Sequence, residues 1–288
     1  MAKTVTKAAW LVHEASRIPE YISMAIRTAF SGRRGPVHLT IPIDVQEAIV
    51  DDHQSNAGTS SSSRKTGHVL GDIEQIKQAV KILNEAERPL VIASSPAGYE
   101  ASNTGVLERF LEVTHLPLMT QGTARGIVPD EHPYCYGSFD VGLNRAASLL
   151  READAVLFLG KKFDYTIGYA QPPAIASDAK IIQIDPSPNE IGRNRGVTIG
   201  MVGDIGGIVS QISTEANKLK WVDKPWLKKL EDLRQQQREW IESKVDPQTP
   251  AHPLYVHETL SRFVKKEDTL VFDGGDYCHF GKLYFPAH

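Results

Sequence analysis

The sequence predicts an α/β protein built on a doubly wound parallel sheet of about five to six strands, flanked by partial α/β pieces. Three observations carry that expectation. First, short and continuously apolar runs recur, among them PLVIAS (89–94), AVLFLG (155–160) and KIIQID (180–185). Strands of a parallel sheet are buried on both faces, so they read as unbroken apolar runs rather than alternating ones. Second, segments with helical spacing stand between those runs. Third, the chain has 288 residues, 41% of them hydrophobic and 23% charged, which is enough apolar material for a sizeable core.

The elements follow in order. In residues 1–50, Ile18, Ile22, Ile26 and Phe30 recur at four-residue spacing and mark a helix face. Gly35-Pro36 breaks the chain, and VHLTI (37–41) reads as a strand. Residues 51–67, polar and serine-rich, read as a linker. Residues 68–214 form the central domain. There, helical patterns at 73–83, 106–113 and 144–152 alternate with strands PLVIAS, LPLMT (116–120) and AVLFLG. KIIQID and VTIGMVGD (197–204) follow, and the whole reads as Rossmann-like. Residues 215–253 form a helical linker, in which Trp226, Leu230, Leu233 and Trp240 lie on one helix stripe suited to packing. Residues 254–288 open a further region, with a helix at 254–263 and a strand at 269–272.

Net charge is −3 and the pI about 6.4, so no basic surface for nucleic acid is indicated. Cys135 and Cys278 are the two cysteines and form no CxxC pair, which points to free thiols rather than a zinc site or disulfide scaffold. No apolar run approaches the ~20 residues of a membrane span, and the N-terminus lacks a signal-peptide core. A soluble cytoplasmic protein is expected.

In such sheets ligands bind beyond the carboxyl ends of the strands. Those positions carry Gly98, then Gly122 and Gly126, then Lys161 and Lys162, then Asp185, and finally Asp273-Gly274-Gly275-Asp276-Tyr277. Lys161 and Lys162 read equally as an anion site or a solvated pair. Asp185 reads as a ribose acceptor or as a turn residue ahead of Pro186-Ser187-Pro188. The motifs GxGxxG, GxxxxGK[ST], HExxH and GxSxG are absent.

A collinear set of segments then resembles one enzyme family. SGRRGPVHLTIPIDVQ (31–46) resembles the end of the pyrimidine-binding domain of thiamine-diphosphate enzymes such as acetolactate synthase, oxalyl-CoA decarboxylase and benzaldehyde lyase. RPLVIASSPAGYE, ARGIVPDEHP, ADAVLFLGKKFDY and AKIIQIDPSPNEIGRNRGVTIGMVGD resemble their central domain. HPLYVHETLSRFVKKEDTLVFDGGDYCHF resembles the start of their diphosphate-binding domain. The resemblance implies thiamine diphosphate and Mg²⁺ in full-length members, with Gly275, Asp276 and Tyr277 beside the cofactor. It implies decarboxylation and carboligation of 2-keto acids, or chemistry on acyl-CoA thioesters, in a homo-oligomer. It also implies FAD or ADP in the central domain, at Gly160, Lys162, Asp185 and Asp204. Lys162 stands where the FAD-type pattern has arginine, and lysine lacks arginine's planar fork. Ser94-Ser95-Pro96 and GSFDVGLN (137–144) replace further parts of that pattern. The activating glutamate and the magnesium motif of the family have no counterpart in these segments, so the expectation is a partial chain inactive by itself.

Overall fold

A computed structural model describes residues 1–51, 68–101, 105–247 and 249–288. The expected linker at 51–67 lies almost wholly outside them. The chain forms two compact units, Met1–His68 and Val69–His288.

In the first unit, helix α1 (Ala2–Val5) precedes strand β1 (Ala9–Leu11), helix α2 (Ile18–Phe30), strand β2 (His38–Thr40) and helix α3 (Ile43–Glu47). β1 and β2 pair in parallel, Trp10 opposite Leu39. The unit is therefore a β-α-β crossover whose first strand the sequence did not reveal, because AWL is only three residues long. The expected apolar stripe of α2 is largely uncovered. Ala25 is its buried residue, while Ile22 and Phe30 are exposed.

The second unit is organised by a sheet of six parallel strands: β3 (Pro89–Ala93), β4 (Leu118–Thr120), β5 (Cys135–Ser138), β6 (Ala155–Leu159), β7 (Lys180–Asp185) and β8 (Ile199–Val202). Their order is β5-β4-β3-β6-β7-β8. The chain builds outward from β3 to one edge, returns beside β3 with β6, and builds to the other edge. That is the doubly wound plan, with its switch between β3 and β6.

Period-two alternation sends successive side chains to opposite faces. Val91, Ala93, Leu157, Leu159, Ile182 and Ile184 join one core with helices α4 (Ile73–Glu85), α6 (Val106–Thr114) and α7 (Ile205–Ala216). Leu90, Ile92, Val156, Phe158 and Ile181 join a second core on the other face. That core is completed by the 3-10 segment Arg145–Glu152 and by helix α8 (Pro225–Glu242). Each fully buried aliphatic contributes roughly 1.5–3 kcal/mol, so both faces stabilise the sheet. α8 docks as its stripe predicts: Trp226 and Leu230 are buried, and the Trp226 indole donates to the Pro89 carbonyl at 3.0 Å.

Two elements differ from expectation. β5 was not anticipated, because YCYGS carries no apolar run. Its register against β4 shifts between Leu118 and Thr120, and Gly137, at φ +76°, accommodates the extra residue. Conversely, no strand forms at 269–272. Leu270 and Val271 are exposed there, and an extended segment without a neighbouring ladder has no partner for its backbone groups. Helix α5 (Ser95–Glu100) follows β3. Helices α9 (Pro253–Ser261) and α10 (Asp276–Tyr284) pack together near the end of the chain.

Candidate functional site at the carboxyl edge of the sheet

The loops after β3, β4, β6, β7 and β8 meet at one edge. The Gly160 amide donates to the Ile184 carbonyl at 2.8 Å, and the Gly203 amide to the Asp185 carbonyl at 3.2 Å. Gly160, Asp185 and Asp204 therefore stand on three neighbouring strand ends.

Each has a defined local role. Gly160 sits at φ +70°, and a Cβ there would lie 2.6 Å from the Pro96 Cβ. The crevice between β3 and β6 is thus closed by the first turn of α5 packing on bare backbone. Gly98 and Gly122 serve the same packing: Cβ atoms there would lie 2.3 Å from the Thr123 carbonyl oxygen and 2.5 Å from the Ser95 hydroxyl. Asp185 is fully buried and accepts the Ser187 amide at 2.9 Å, an Asx turn that starts the loop after β7. Asp204 caps α7, accepting from the Gly207 amide at 2.6 Å.

The two lysines separate. Lys161 is buried, and its ammonium donates to the Asp164 carboxylate at 2.8 Å and the Thr166 hydroxyl at 2.9 Å. Burial pushes the Asp164 carboxyl up, but the bonds from Lys161 and Thr166 outweigh it and hold it below its ordinary value. Lys162 is half-exposed and pairs with Glu190 at 3.3 Å, where Arg193 approaches the same oxygen at 3.6 Å. Glu190 is itself buried, and its second carboxylate oxygen has no hydrogen-bond partner among the described residues.

Gln183 organises this corner and was missed from sequence. Its amide donates to the Lys161 carbonyl at 3.2 Å and the Glu190 carbonyl at 2.9 Å, and its oxygen accepts the Gly192 amide at 2.8 Å. One fully buried side chain ties the loops after β6 and β7 together. The signal lay in KIIQID, where a glutamine interrupts an otherwise buried apolar strand.

Gly275, Asp276 and Tyr277 belong to a different place. All three are exposed at the start of α10, with Gly275 in the N-cap position. Gly274 requires its φ of +98°, and Cβ atoms at Gly274 or Gly275 would meet nothing within 4 Å. The Tyr277 carbonyl lies 3.0 Å from Nε2 of the buried His257. Cys278 is buried in α10 and His279 faces Asp140 at 3.4 Å.

Residues 76–212, which span the sheet and most of its helices, match the thiamine pyrophosphate enzyme central-domain family. This stretch is a thiamine pyrophosphate enzyme central domain. Its relatives agree. A 2-hydroxyacyl-CoA lyase 1 from Dictyostelium discoideum is 30% identical over 70% of this chain and 35% of its own length. A probable acetolactate synthase large subunit from Methanocaldococcus jannaschii is 31% identical over 80% of this chain and 39% of its own. An oxalyl-CoA decarboxylase from Escherichia coli is 29% identical over 77% of this chain and 39% of its own. The chain spans well under half the length of these three relatives. No helix among the described residues is long and apolar enough to cross a membrane.

A dinucleotide would need ribose and phosphate contacts from the carboxyl edge. Asp185 and Asp204 are committed to backbone amides there, and Pro96 fills the switch point. Among these groups, Lys162 and Arg193 at the Glu190 corner carry exposed charge. Gly274 and Gly275 offer open backbone, but no cluster of carboxylate, imidazole or thiol groups suited to Mg²⁺ occurs among the described residues.

Proposed function

We propose that this chain supplies the central part of an acetolactate synthase-like carboligase or decarboxylase, acting on 2-keto acids or on 2-hydroxyacyl or oxalyl thioesters. The observation that supports it is the six-stranded doubly wound sheet lying within the family match at residues 76–212. Bound thiamine diphosphate supplies the carbanion chemistry at a carbonyl, and the protein contributes binding, orientation and exclusion of water. The part assigned to this chain is positional. Gln183, Asp185 and Asp204 brace the strand-end loops, and the exposed residues Gly275, Asp276 and Tyr277 at the start of α10 would hold the diphosphate of the cofactor.

We further propose that the 288-residue polypeptide alone does not turn over. Purified protein with thiamine diphosphate, Mg²⁺ and pyruvate or oxalyl-CoA is expected to release no CO₂ above the protein-free control. Sustained release at one turnover per minute or faster would overturn this reading.

One observation favours a second reading, a non-catalytic ADP- or FAD-binding module. Lys162 and Arg193 converge on Glu190 at the strand ends, where a phosphate could meet both cations. Absorbance near ~450 nm, or adenine nucleotide released on denaturation, distinguishes flavin from ADP. A protein carrying neither removes this reading.

A further inference from the structure

The two cores of the sheet stop within α8, and neither includes a residue beyond Leu233. Leu254, His257, Cys278 and Phe285 are nevertheless buried, on α9, on α10 and just after it. There the His257 ring meets those of Phe272, Tyr277 and Phe285, with centroids 6.1, 4.3 and 5.8 Å away. Phe272 lies on bare Gly281, where a Cβ would stand 2.4 Å from its ring carbon Cε1. The hairpin of α9 and α10 thus carries a small core of its own, apart from the sheet.

Its connections are exposed. Residues 265–271 and 273–277, between α9 and the first turn of α10, lie open to solvent, and none of them joins the sheet. A unit with a separate core and exposed connections is the kind that opens locally, at a free energy below that of global unfolding.

The hairpin is fastened to the loop after β4. The Arg125 guanidinium donates to the Asp130 carboxylate at 2.8 Å and to the Phe285 carbonyl at 2.5 Å. Asp130 then holds Ala287 twice: its amide donates to the Ala287 carbonyl at 2.9 Å, and its carboxylate accepts the Ala287 amide at 2.9 Å. The Arg125 and Asp130 side chains are only 17% and 15% exposed, so these charge-assisted bonds are little screened by salt. The Ala287 methyl lies over Gly126, 3.6 Å from where a Cβ would stand. Further contacts sit at the rim: His279 with Asp140 at 3.4 Å, His288 with Glu131 at 3.1 Å, and the Trp240 ring edge-on to His252 at 6.4 Å.

We propose that residues 253–288 form a strap that opens as one unit while the sheet stays folded, and that Arg125 and Asp130 are its latch. The latch grips the backbone of Phe285 and Ala287, so it fixes where the chain leaves α10. The turn at Gly274–Asp276 moves with the strap, and opening bares the cleft of 470 Å³ between β5, α8 and α10. The proposal stands independently of what that turn binds.

The test is amide hydrogen exchange of the 288-residue protein, read by mass spectrometry. In the native chain the amides of α9 and α10 are expected to exchange together, and faster than those of β3, β6 and β7. Arg125→Gln and Asp130→Ala should each speed exchange in both helices by about ten- to a hundredfold, the factor carried by a charge-assisted hydrogen bond. The three strands should keep their native rates. Ala287→Pro removes the amide given to Asp130 without altering the loop after β4, and should act in the same direction. Lys282→Gln takes an exposed charge from α10 away from the latch, and should leave exchange unchanged. Helices that exchange as slowly as β3 in the native chain, rates unmoved by all three latch variants, an equal rise in helices and strands, or a rise in Lys282→Gln as large as in Arg125→Gln would each overturn the proposal.

Discussion

Gly160→Ala tests whether the switch point of the sheet is closed by packing. Two costs are expected there. At φ +70° a Cβ carries a left-handed penalty of about 1 kcal/mol. The added methyl would also stand 2.6 Å and 2.9 Å from the Pro96 Cβ and Cγ, and 3.0 Å from the Ile205 Cδ1. Both neighbours belong to the packed core, so relieving the overlap costs a further ~1–3 kcal/mol. Gly137→Ala separates the two terms. Gly137 has a similar φ of +76°, but its Cβ would make only an ordinary contact, 3.8 Å from the Asn144 side chain. It bears the backbone penalty alone. The assay is urea denaturation of both variants, followed by circular dichroism. Gly160→Ala should be less stable than Gly137→Ala by about 1–3 kcal/mol. For a unit of this size that is roughly 2–12 °C in Tm. Variants equal within about 0.5 kcal/mol would show that α5 does not close on Gly160, and the crevice between β3 and β6 would have to be treated as open.

Other predictions concern the residues around that edge. Gln183→Ala leaves the Lys161 and Glu190 carbonyls and the Gly192 amide without their partner, and should cost about 3–6 kcal/mol in urea denaturation; a loss under about 1 kcal/mol would contradict its bridging role. Trp226→Phe removes the indole bond to the Pro89 carbonyl while keeping most of the apolar contact, and should cost about 1–2 kcal/mol by the same measurement. Burial pushes the Cys135 thiol up to about 12. A raised folded value means the contribution is complete below the unfolded thiol's range, near ~9, and fades as pH climbs toward 12. Stability should therefore fall between pH 9 and 11 more steeply in the native protein than in Cys135→Ala, by on the order of 1 kcal/mol per pH unit; identical slopes would place the thiol in contact with water. The same burial should leave Cys135 unreactive to thiol reagents at pH 8 until the protein unfolds.

The strands and most helices were legible because their signals are local. PLVIA, AVLFL and KIIQID are apolar without interruption, and in the fold they occupy the three adjacent central strands β3, β6 and β7. A run of that kind needs cover on both faces, which by itself implies helices on either side of a parallel sheet. β5 escaped because its evidence is tertiary. A bulged edge segment such as YCYGS, with Gly137 at positive φ, becomes a strand only when β4 lies beside it and side chains from Arg234 and Asn144 take up its carbonyls. The expected strand at 269–272 failed for the converse reason, since its residues suit a strand but no ladder reaches them.

The sequence by itself determined the fold class, the succession of the main strands along the chain and the family resemblance, because apolar runs and collinear motifs are properties of the chain. The tertiary structure decided what the polar residues do. Lys161 and Lys162 are neighbours in sequence, yet one is buried on Asp164 and Thr166 and the other reaches the rim beside Glu190. Asp185 and Asp204 look like ligand contacts at strand ends, and the fold gives them backbone amides to bind. Burial of a polar group is costly without a partner, and the partners come from strands and loops far away in the chain. That is why their roles could be read only once the sheet had brought them together.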